Sequence, residues 1–328
     1  MKEITLAHGG GGEEMNELVS FIFKLFDNEI LSKANDSALL ENLGSNLAIS
    51  TDNFTLSPLF LDDEVNIGKL CVCGSVNDVL MVGAKPLYLS LALIIEEGLE
   101  FEKLEKILKS IKKECDKVGV KVVCGDTKVV PKGKGDLLYI NTTCLGEVLC
   151  KKDTKDIKKG LSILLSGDIG RHGGAVLVKR NELVASIKSD CKSLVSEVLA
   201  LLEARIKIVC MRDATRGGLS AVLNEWARQS GLDILVFEEK INIKDEVKGI
   251  CELFGYEAYE LANEGTFALC VEKDDEKKAL EILKKFNPNA SIIGEILSEK
   301  KGRVILQNAF GAKRFLEAPK GELLPRIC

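Results

Sequence analysis

The chain has no surplus of positive charge. Its 45 Lys and Arg residues are outnumbered by 50 Asp and Glu, for a formal charge of −5. That argues against a general nucleic-acid binder or a membrane-surface protein. It also has no long hydrophobic run: a stretch such as Tyr88 to Ile95 is far too short to cross a bilayer. No basic, apolar leader opens the sequence, so a cytoplasmic protein is expected. Cys-x-x-Cys pairs are missing, although there are 11 cysteines. Scattered singly, most read as small buried hydrophobes in a reducing compartment, and the Cys71-Val72-Cys73 spacing turns its sulfurs to different helix faces, against zinc. Gly-Lys-Ser/Thr at Walker spacing is absent too, which excludes a P-loop. There is no low-complexity segment and no short-period repeat. Aromatics are 5% of the chain, and His8 and His172 are the only histidines.

What is present fits two domains at about 150 residues each. In the first half a short strand at 2–7 runs into the glycine run 9–12 and a helix carrying Met15, Leu18, Val19, Ile22, Leu25 and Phe26 on one face. Strand 46–50 ends in Thr51-Asp52, and helix 66–82 carries Asn77 and Asp78. The continuous apolar strand 88–95 predicts a sheet covered on both faces. Leu104, Ile107, Leu108, Ile111 and Cys115 predict helix 101–118. Strand 120–124 delivers Gly125-Asp126-Thr127-Lys128 at its end, and strand 137–145 closes this half. The polar stretch 151–159 reads as the linker. In the second half, strand 161–165 leads into the loop Ser166 to Gly174. Helices are expected at 188–204, 219–229, 245–254 and 274–286, with strands at 234–237, 266–271, 291–297 and 303–306. The fold class is α/β (α+β): two sandwiches, with topology left open by periodicity. Expected boundaries are 1–150, 151–310 and a mobile tail 311–328.

Asp36, Asp52, Asp126, Asp168 and Asp213 stand at strand ends or turns beside small residues, while Asp78 lies mid-helix. Carboxylates with glycines suit magnesium–phosphate chemistry, because oxygen ligands hold the hard cation and bare N–H groups approach phosphate. Gly10, Gly11 and Gly12, just before a helix, suit the second task. Each aspartate alone also reads as a cap or turn residue. These residues reach as far as a magnesium-dependent nucleotide enzyme.

Asn35-Asp36-Ser37-Ala38, Ser50-Thr51-Asp52, Gly74-Ser75-Val76-Asn77-Asp78, Gly125-Asp126-Thr127-Lys128 and Arg212-Asp213-Ala214-Thr215-Arg216-Gly217-Gly218 resemble, in this order, the ATP-binding superfamily of aminoimidazole ribonucleotide synthetase. Leu6-Ala7-His8-Gly9, Asn66-Ile67-Gly68-Lys69-Leu70, Ala262-Asn263-Glu264-Gly265, Ile293-Gly294-Glu295 and the terminal Pro325-Arg326-Ile327-Cys328 narrow the resemblance to the hydrogenase maturation family HypE. It covers essentially the whole chain. The resemblance implies two α/β domains per subunit, a homodimer, and ATP held near the dimer interface. It also implies that Cys328 is carbamoylated by the carbamoyltransferase HypF. ATP then drives dehydration to a thiocyanate, and the cyano group passes through a HypC–HypD iron scaffold to the iron of nickel–iron hydrogenase. Asp36, Asp52, Asp78, Asp126 and Asp213 would hold Mg2+ and ATP, with Asn77 and Thr127 beside them and Lys128 neutralising phosphate charge. Glu264 and His172 are candidates for proton transfer; a structural cap or pair and a glycine-turn role are their alternatives. Either histidine would titrate near ~6.5 if unperturbed. Arg171 stands where the family commonly has an acidic residue, so it is expected to contact phosphate instead of metal.

The tail is where rival functions separate. Pro319 and Pro325 stop a helix, Gly321 allows a bend, and Leu323 and Leu324 offer something to dock. Extended, Pro319 to Cys328 would span on the order of 30 Å, long enough to carry a sulfur between an active site and the surface. A disordered end that happens to finish in cysteine is the plain alternative. A selenophosphate synthetase would need a cysteine near the N-terminus, and none precedes Cys71. A thiamine phosphate kinase or purine-pathway synthetase has no use for a terminal thiol. A non-enzymatic metallochaperone presenting cysteines to a partner is the reading from a different class.

Overall fold

A computed structural model describes residues 3–9, 13–33, 37–41, 43–44, 46–55, 57–62 and 64–320. Contacts divide the chain into two compact units, the first within Met1–Val79 and Ala84–Leu149, the second within Leu80–Gly83 and Cys150–Ile327.

The first unit runs α1 (Glu13–Leu25), β1 (Leu47–Phe54), α2 (Ile67–Met81, its last residues counted with the second unit), β2 (Ala84–Glu96), α3 (Phe101–Val118), β3 (Lys121–Val130) and β4 (Leu138–Val148). Its sheet is ordered β1-β4-β2-β3, with β2 and β3 parallel and the other pairs antiparallel. Helix α2 lacks a polar face and is buried almost throughout, as such a helix must be. Asn66 starts it by accepting the N–H groups of Gly68 (2.9 Å) and Lys69 (3.3 Å). At Gly68 a Cβ would lie 2.4 Å from the Ile107 carbonyl oxygen, so glycine is what lets α3 lie against α2. Helix α3 buries the predicted stripe of Leu104, Ile107, Leu108, Ile111 and Cys115, and Gly119 ends it in the left-handed region.

Among the described residues only one face of this sheet is covered. Leu89, Leu91, Leu93 and Ile95 of β2 are buried, but Ile94 between them is 43% exposed, and Ile49 of β1 is 72% exposed. The apolar run 88–95 therefore corrects the expectation of two covered faces: one chain supplies cover for one. The strand predicted at 2–7 is also absent over its described residues, 3–7. Glu3 makes a single bridge to Glu100, and residues Leu6–Gly9 form a 3-10 turn. The Thr5 N–H donates to His8 Nδ1 at 3.1 Å, so a local bond replaces the ladder.

The second unit contains β5 (Ser162–Leu165), α4 (Arg171–Arg180), α5 (Val195–Glu203), β6 (Ile208–Asp213), α6 (Gly218–Ser230), β7 (Ile234–Phe237), α7 (Asp245–Phe254), β8 (Phe267–Val271), α8 (Glu276–Lys284), β9 (Ser291–Ile296), β10 (Val304–Gln307) and β11 (Lys313–Phe315). Its seven strands are ordered β11-β10-β7-β9-β5-β8-β6. Every residue of β5 and β8 is buried, the mark of strands covered on both sides. Trp226, Leu223 and Leu219 of α6 pack with Ile163, Leu165, Ala268 and Cys270 in one core.

The division at Leu149/Cys150 falls within one residue of the expected one, but the linker and the tail differ from expectation. The stretch 151–159 is fastened to this unit: the Asp153 N–H donates to Val209 O and Ile157 joins the core. Residues 313–315 pair with β10, and Leu316 is buried with its carbonyl accepting from Asn224. The tail expected from 311 thus begins no earlier than about 318; residues 321–328 lie outside the described part.

Because Trp226 is the chain's single tryptophan, its emission reports on the second unit alone. Leu223→Ala, which empties space in the same fully buried cluster, is expected to cost about 2–5 kcal/mol in urea unfolding followed at that tryptophan. A loss below about 0.5 kcal/mol would contradict this packing.

Candidate active site

In β1 the two-residue alternation turns Ser50, Asp52 and Phe54 toward α2. Ser50 Oγ donates to Asp78 Oδ2 at 2.6 Å. A Cβ at Gly74 would lie 2.7 Å from the Phe54 ring and 3.3 Å from Asp52 Oδ2, so the glycine permits this approach. Ser75 and Thr142 share a hydroxyl bond of 2.7 Å, and Thr142 donates to Cys71 O at 2.9 Å, pinning helix to sheet. Asp52 and Asp78, both half-buried, thus flank Gly74 on the helix-covered face, with Asn77 buried beside them.

The Gly125-Asp126-Thr127-Lys128 stretch lies inside β3, not at its end. A Cβ on Gly125 would sit 2.0 Å from Leu91 O. Register then decides the faces. Asp52 aligns with Thr142, Leu91 and Gly125, whereas Asp126 aligns with Ala92, Asn141 and Asn53, one residue out of step. Asp126 and Lys128 therefore share the uncovered face with Ile94, on the far edge strand from Asp52. With strands about 4.8 Å apart, β1 and β3 are separated by roughly 14 Å. Within one chain the sheet holds the predicted aspartates apart, and no group of three or more His, Cys, Asp or Glu suited to a metal exists among the described residues. Gly10, Gly11, Gly12, Asp36 and Cys328 fall outside those residues. Gly9 is described, and packs against Val129. Sequence reasoning missed a cavity of about 260 Å³ under α1, lined by Ile22, Phe23, Phe26, Leu91 and Leu93 and reaching Asp126 and Thr127. The helical stripe of α1 was its only signal.

The second unit brings Asp213 and Glu264 together. The residue after Asp213, Ala214, donates its N–H to Thr266 O at 3.0 Å, and its carbonyl accepts from Asn263 N–H and Nδ2, both at 2.9 Å. Gly217 and Gly218, with φ of +75° and +59°, start α6; a Cβ on Gly218 would lie 2.5 Å from Tyr259 O. Both Asp213 and Glu264 are buried.

Two expectations at the start of α4 are corrected. Arg171 grips Asp168 through Nε (2.5 Å) and Nη2 (3.2 Å), so its planar fork is already occupied by a carboxylate. Burial works against the Asp168 charge, yet the guanidinium holds that carboxyl below its usual range. His172 is fully buried, with Nδ1 2.8 Å from Ser189 Oγ. Burial first, and the Arg180 charge second, pull its pKa from 6.5 down to about 3. A closed-off imidazole of such low basicity does not serve as the proton acceptor.

Ten described cysteines are free thiols. Burial pushes Cys144 up to about 12 and Cys251 to about 11, which leaves almost no thiolate at neutral pH. Cys150 is exposed, with Lys152 Nζ 3.1 Å from its sulfur.

Known proteins match the chain across both units. The AIR synthase related protein N-terminal domain matches residues 34–148, and the C-terminal domain of the same family matches 158–307. A protein of Escherichia coli strain K12 named carbamoyl dehydratase HypE is 38% identical over the whole of both chains. A crystal structure of hydrogenase maturation protein HypE in complex with ATP superposes with a TM-score of 0.94 at 38% identity, covering 99% of each chain. A crystal structure of a HypE–HypF complex matches with a TM-score of 0.80 at 41% identity, over 94% of this chain and all of that one.

The His172 geometry has a measurable consequence. Its folded pKa of about 3 lies below the unfolded value of 6.5, so the unfolded chain takes up this proton first as pH falls. Stability is therefore lost from about pH 6.5 downward. Between pH 7 and 5 the protein is expected to lose up to about 2 kcal/mol more than His172→Gln in urea unfolding. Comparing the two at each pH cancels all other groups. Parallel pH profiles would contradict the assignment.

Proposed function

Because the chain belongs to the HypE family of AIR synthase related proteins, we propose that it is a carbamoyl dehydratase that uses ATP to convert a carbamoyl group on its own Cys328 into a thiocyanate. The carrying observation is full-length identity of 38% to a protein named carbamoyl dehydratase HypE, in a chain that itself ends in Pro325-Arg326-Ile327-Cys328. That identity over both whole chains sets aside the selenophosphate synthetase, thiamine phosphate kinase and metallochaperone readings.

The reaction balances as R–S–C(=O)–NH2 plus ATP giving R–S–C≡N, ADP and phosphate. The carbamoyl oxygen must become a leaving group, and both nitrogen protons must be taken up. ATP supplies the phosphoryl group that carries the oxygen away. Asp52 and Asp78 fit a magnesium–nucleotide, since magnesium is usually held by one or two carboxylates plus substrate phosphates and not by a full protein cage. Asp36 and Asp126 join them in this reading, and Asp213 is the nucleotide-binding candidate of the second unit. Lys128 neutralises charge on the phosphoryl oxygens, and Glu264 accepts a proton from nitrogen.

The uncovered face of the four-stranded sheet supports a homodimer. Leu47, Ile49 and Ile94 leave an exposed apolar surface there, of the kind that marks a contact with another chain. Asp126 and Lys128 lie on that same face, so a second copy seated on it would receive them at its own nucleotide site. The first unit is then the nucleotide-binding and dimerisation domain. HypF, which a related protein forms a complex with, would be the carbamoyl donor, and a HypC–HypD complex the acceptor of the cyano group. No helix among the described residues is long and apolar enough to cross a membrane, in keeping with a cytoplasmic place.

Intact-protein and peptide mass spectrometry after incubation with the carbamoyltransferase, carbamoyl phosphate and ATP tests the reading. A carbamoyl adduct is expected on Cys328, losing one water only when ATP is present. Cys328→Ala should bind ATP but carry neither group. A cyano adduct on Cys150 with Cys328 bare would overturn it.

A further inference from the structure

Glu264 stands in a peptide whose every neighbour is tied down, and the tie on one side is an acid that the reaction does not use. Asp190 is 6% exposed. Its Oδ1 accepts the Glu264 N–H at 3.2 Å and its Oδ2 accepts the Gly265 N–H at 3.0 Å. From the same segment, the Lys192 N–H donates to Glu264 O at 3.2 Å. Residues 190–192 thus hold the Glu264 residue at its amide and its carbonyl at once. The approach is so close that a Cβ on Gly265 would lie 2.0 Å from Asp190 O and 2.8 Å from Lys192 Cγ.

On the other flank, Asn263 bonds Ala214 O through N–H and Nδ2, and its Oδ1 accepts the Gly170 N–H at 2.6 Å. The holding segment is itself anchored. Ser189 Oγ bonds His172 Nδ1 at 2.8 Å and accepts the Cys191 N–H at 3.0 Å. Two converging N–H donors require two acceptors. A carboxylate offers both, whereas an amide would turn its own NH2 toward one of them.

We propose that Asp190 is a positioning residue for Glu264, fixing the backbone from which the side chain of the proton acceptor projects. The inference rests on the proton-transfer reading of Glu264 given above. Its force comes from the steepness of proton transfer with geometry, since a misplacement of about 1 Å costs on the order of a hundredfold.

The test uses the full chain carbamoylated at Cys328, in wild type, Asp190→Asn, Glu264→Gln, the double variant and Gly265→Ala. Single-turnover conversion to thiocyanate is followed by intact mass against ATP concentration, with ATP affinity measured separately by calorimetry. Asp190→Asn is expected to slow the rate at saturating ATP by at least about tenfold while the half-saturating ATP concentration and the ATP affinity stay within about twofold. Glu264→Gln should be slower still, and the double variant no slower than Glu264→Gln alone, because a misplaced acceptor that is already gone cannot be lost again. Gly265→Ala, which displaces the same peptide without touching the carboxylate, should show the same split and keeps the test open if the amide variant does not fold. Glu264→Gln inactive with Asp190→Asn or Gly265→Ala at the wild-type rate overturns the positioning role. So does a double variant whose loss is the product of the single losses, or a fall in ATP affinity that matches the fall in rate. Glu264→Gln at the wild-type rate overturns the reading of Glu264 itself.

Discussion

The alternation of side chains along the four-stranded sheet is the constraint on which the first unit's chemistry depends. One row, Asp52, Thr142, Leu91 and Gly125, faces the helices; the next, Asn53, Asn141, Ala92 and Asp126, faces away. A slip of one residue would exchange the two sets. The register is held by features that tolerate no slip: the Ser75–Thr142 and Ser50–Asp78 bonds, and a Gly125 that has room for no Cβ against Leu91 O. Each hydroxyl bond contributes about 1 kcal/mol, but together they fix which carboxylates share a face. In the proposed function the sheet offers two half-sites. Asp52 and Asp78 lie under the helices, and Asp126 and Lys128 lie on a surface that a single chain leaves open.

The second unit solves a different problem, that of holding carboxylates in a dry interior. Asp168 is given the fork of Arg171, and Asp190 two backbone N–H groups. Burial still raises the Asp190 carboxyl, with the Arg171 charge opposing. Asp213 at the end of β6 and the loop carrying Glu264 are tied to each other through Ala214, Asn263 and Thr266. Groups placed this way are pre-organised, which is what a reaction with charge on phosphoryl oxygens and a proton leaving nitrogen requires.

Strong helical periodicity was fully legible in the sequence: the stripe Leu104 to Cys115 gave α3 its observed limits, and 245–254 likewise became α7. The family motifs at Ser50–Asp52, Gly74–Asp78, Asn66–Leu70 and Ala262–Gly265 were legible as patterns, but their work was not. Asn66 is a cap and Gly68 and Gly265 are close-approach glycines, roles set by neighbours distant in sequence. Gly125-Asp126 reads locally as a turn, and β3 runs through it only because the parallel strand β2 supplies the ladder. The helix expected from 188 starts at Val195, since Ser189 and Asp190 spend their side chains on His172 and on the Glu264 backbone. His172 looked titratable because sequence carries no record of burial. The strand β6 was not read from the sequence, and the edge strand β11, three residues long, gave too little alternation to be noticed.

Whether two faces of one sheet serve two subunits is tested most directly by complementation. Chains carrying Asp78→Asn and chains carrying Asp126→Asn would be assembled separately and then as mixed dimers, with nucleotide binding measured in each. Alone, each variant is expected to bind ATP more than about tenfold more weakly than wild type. In a statistical mixture half of the dimers are mixed, and each of these carries one intact site, so about one quarter of the wild-type sites should return at wild-type affinity. No recovery above the separate variants would contradict the shared site.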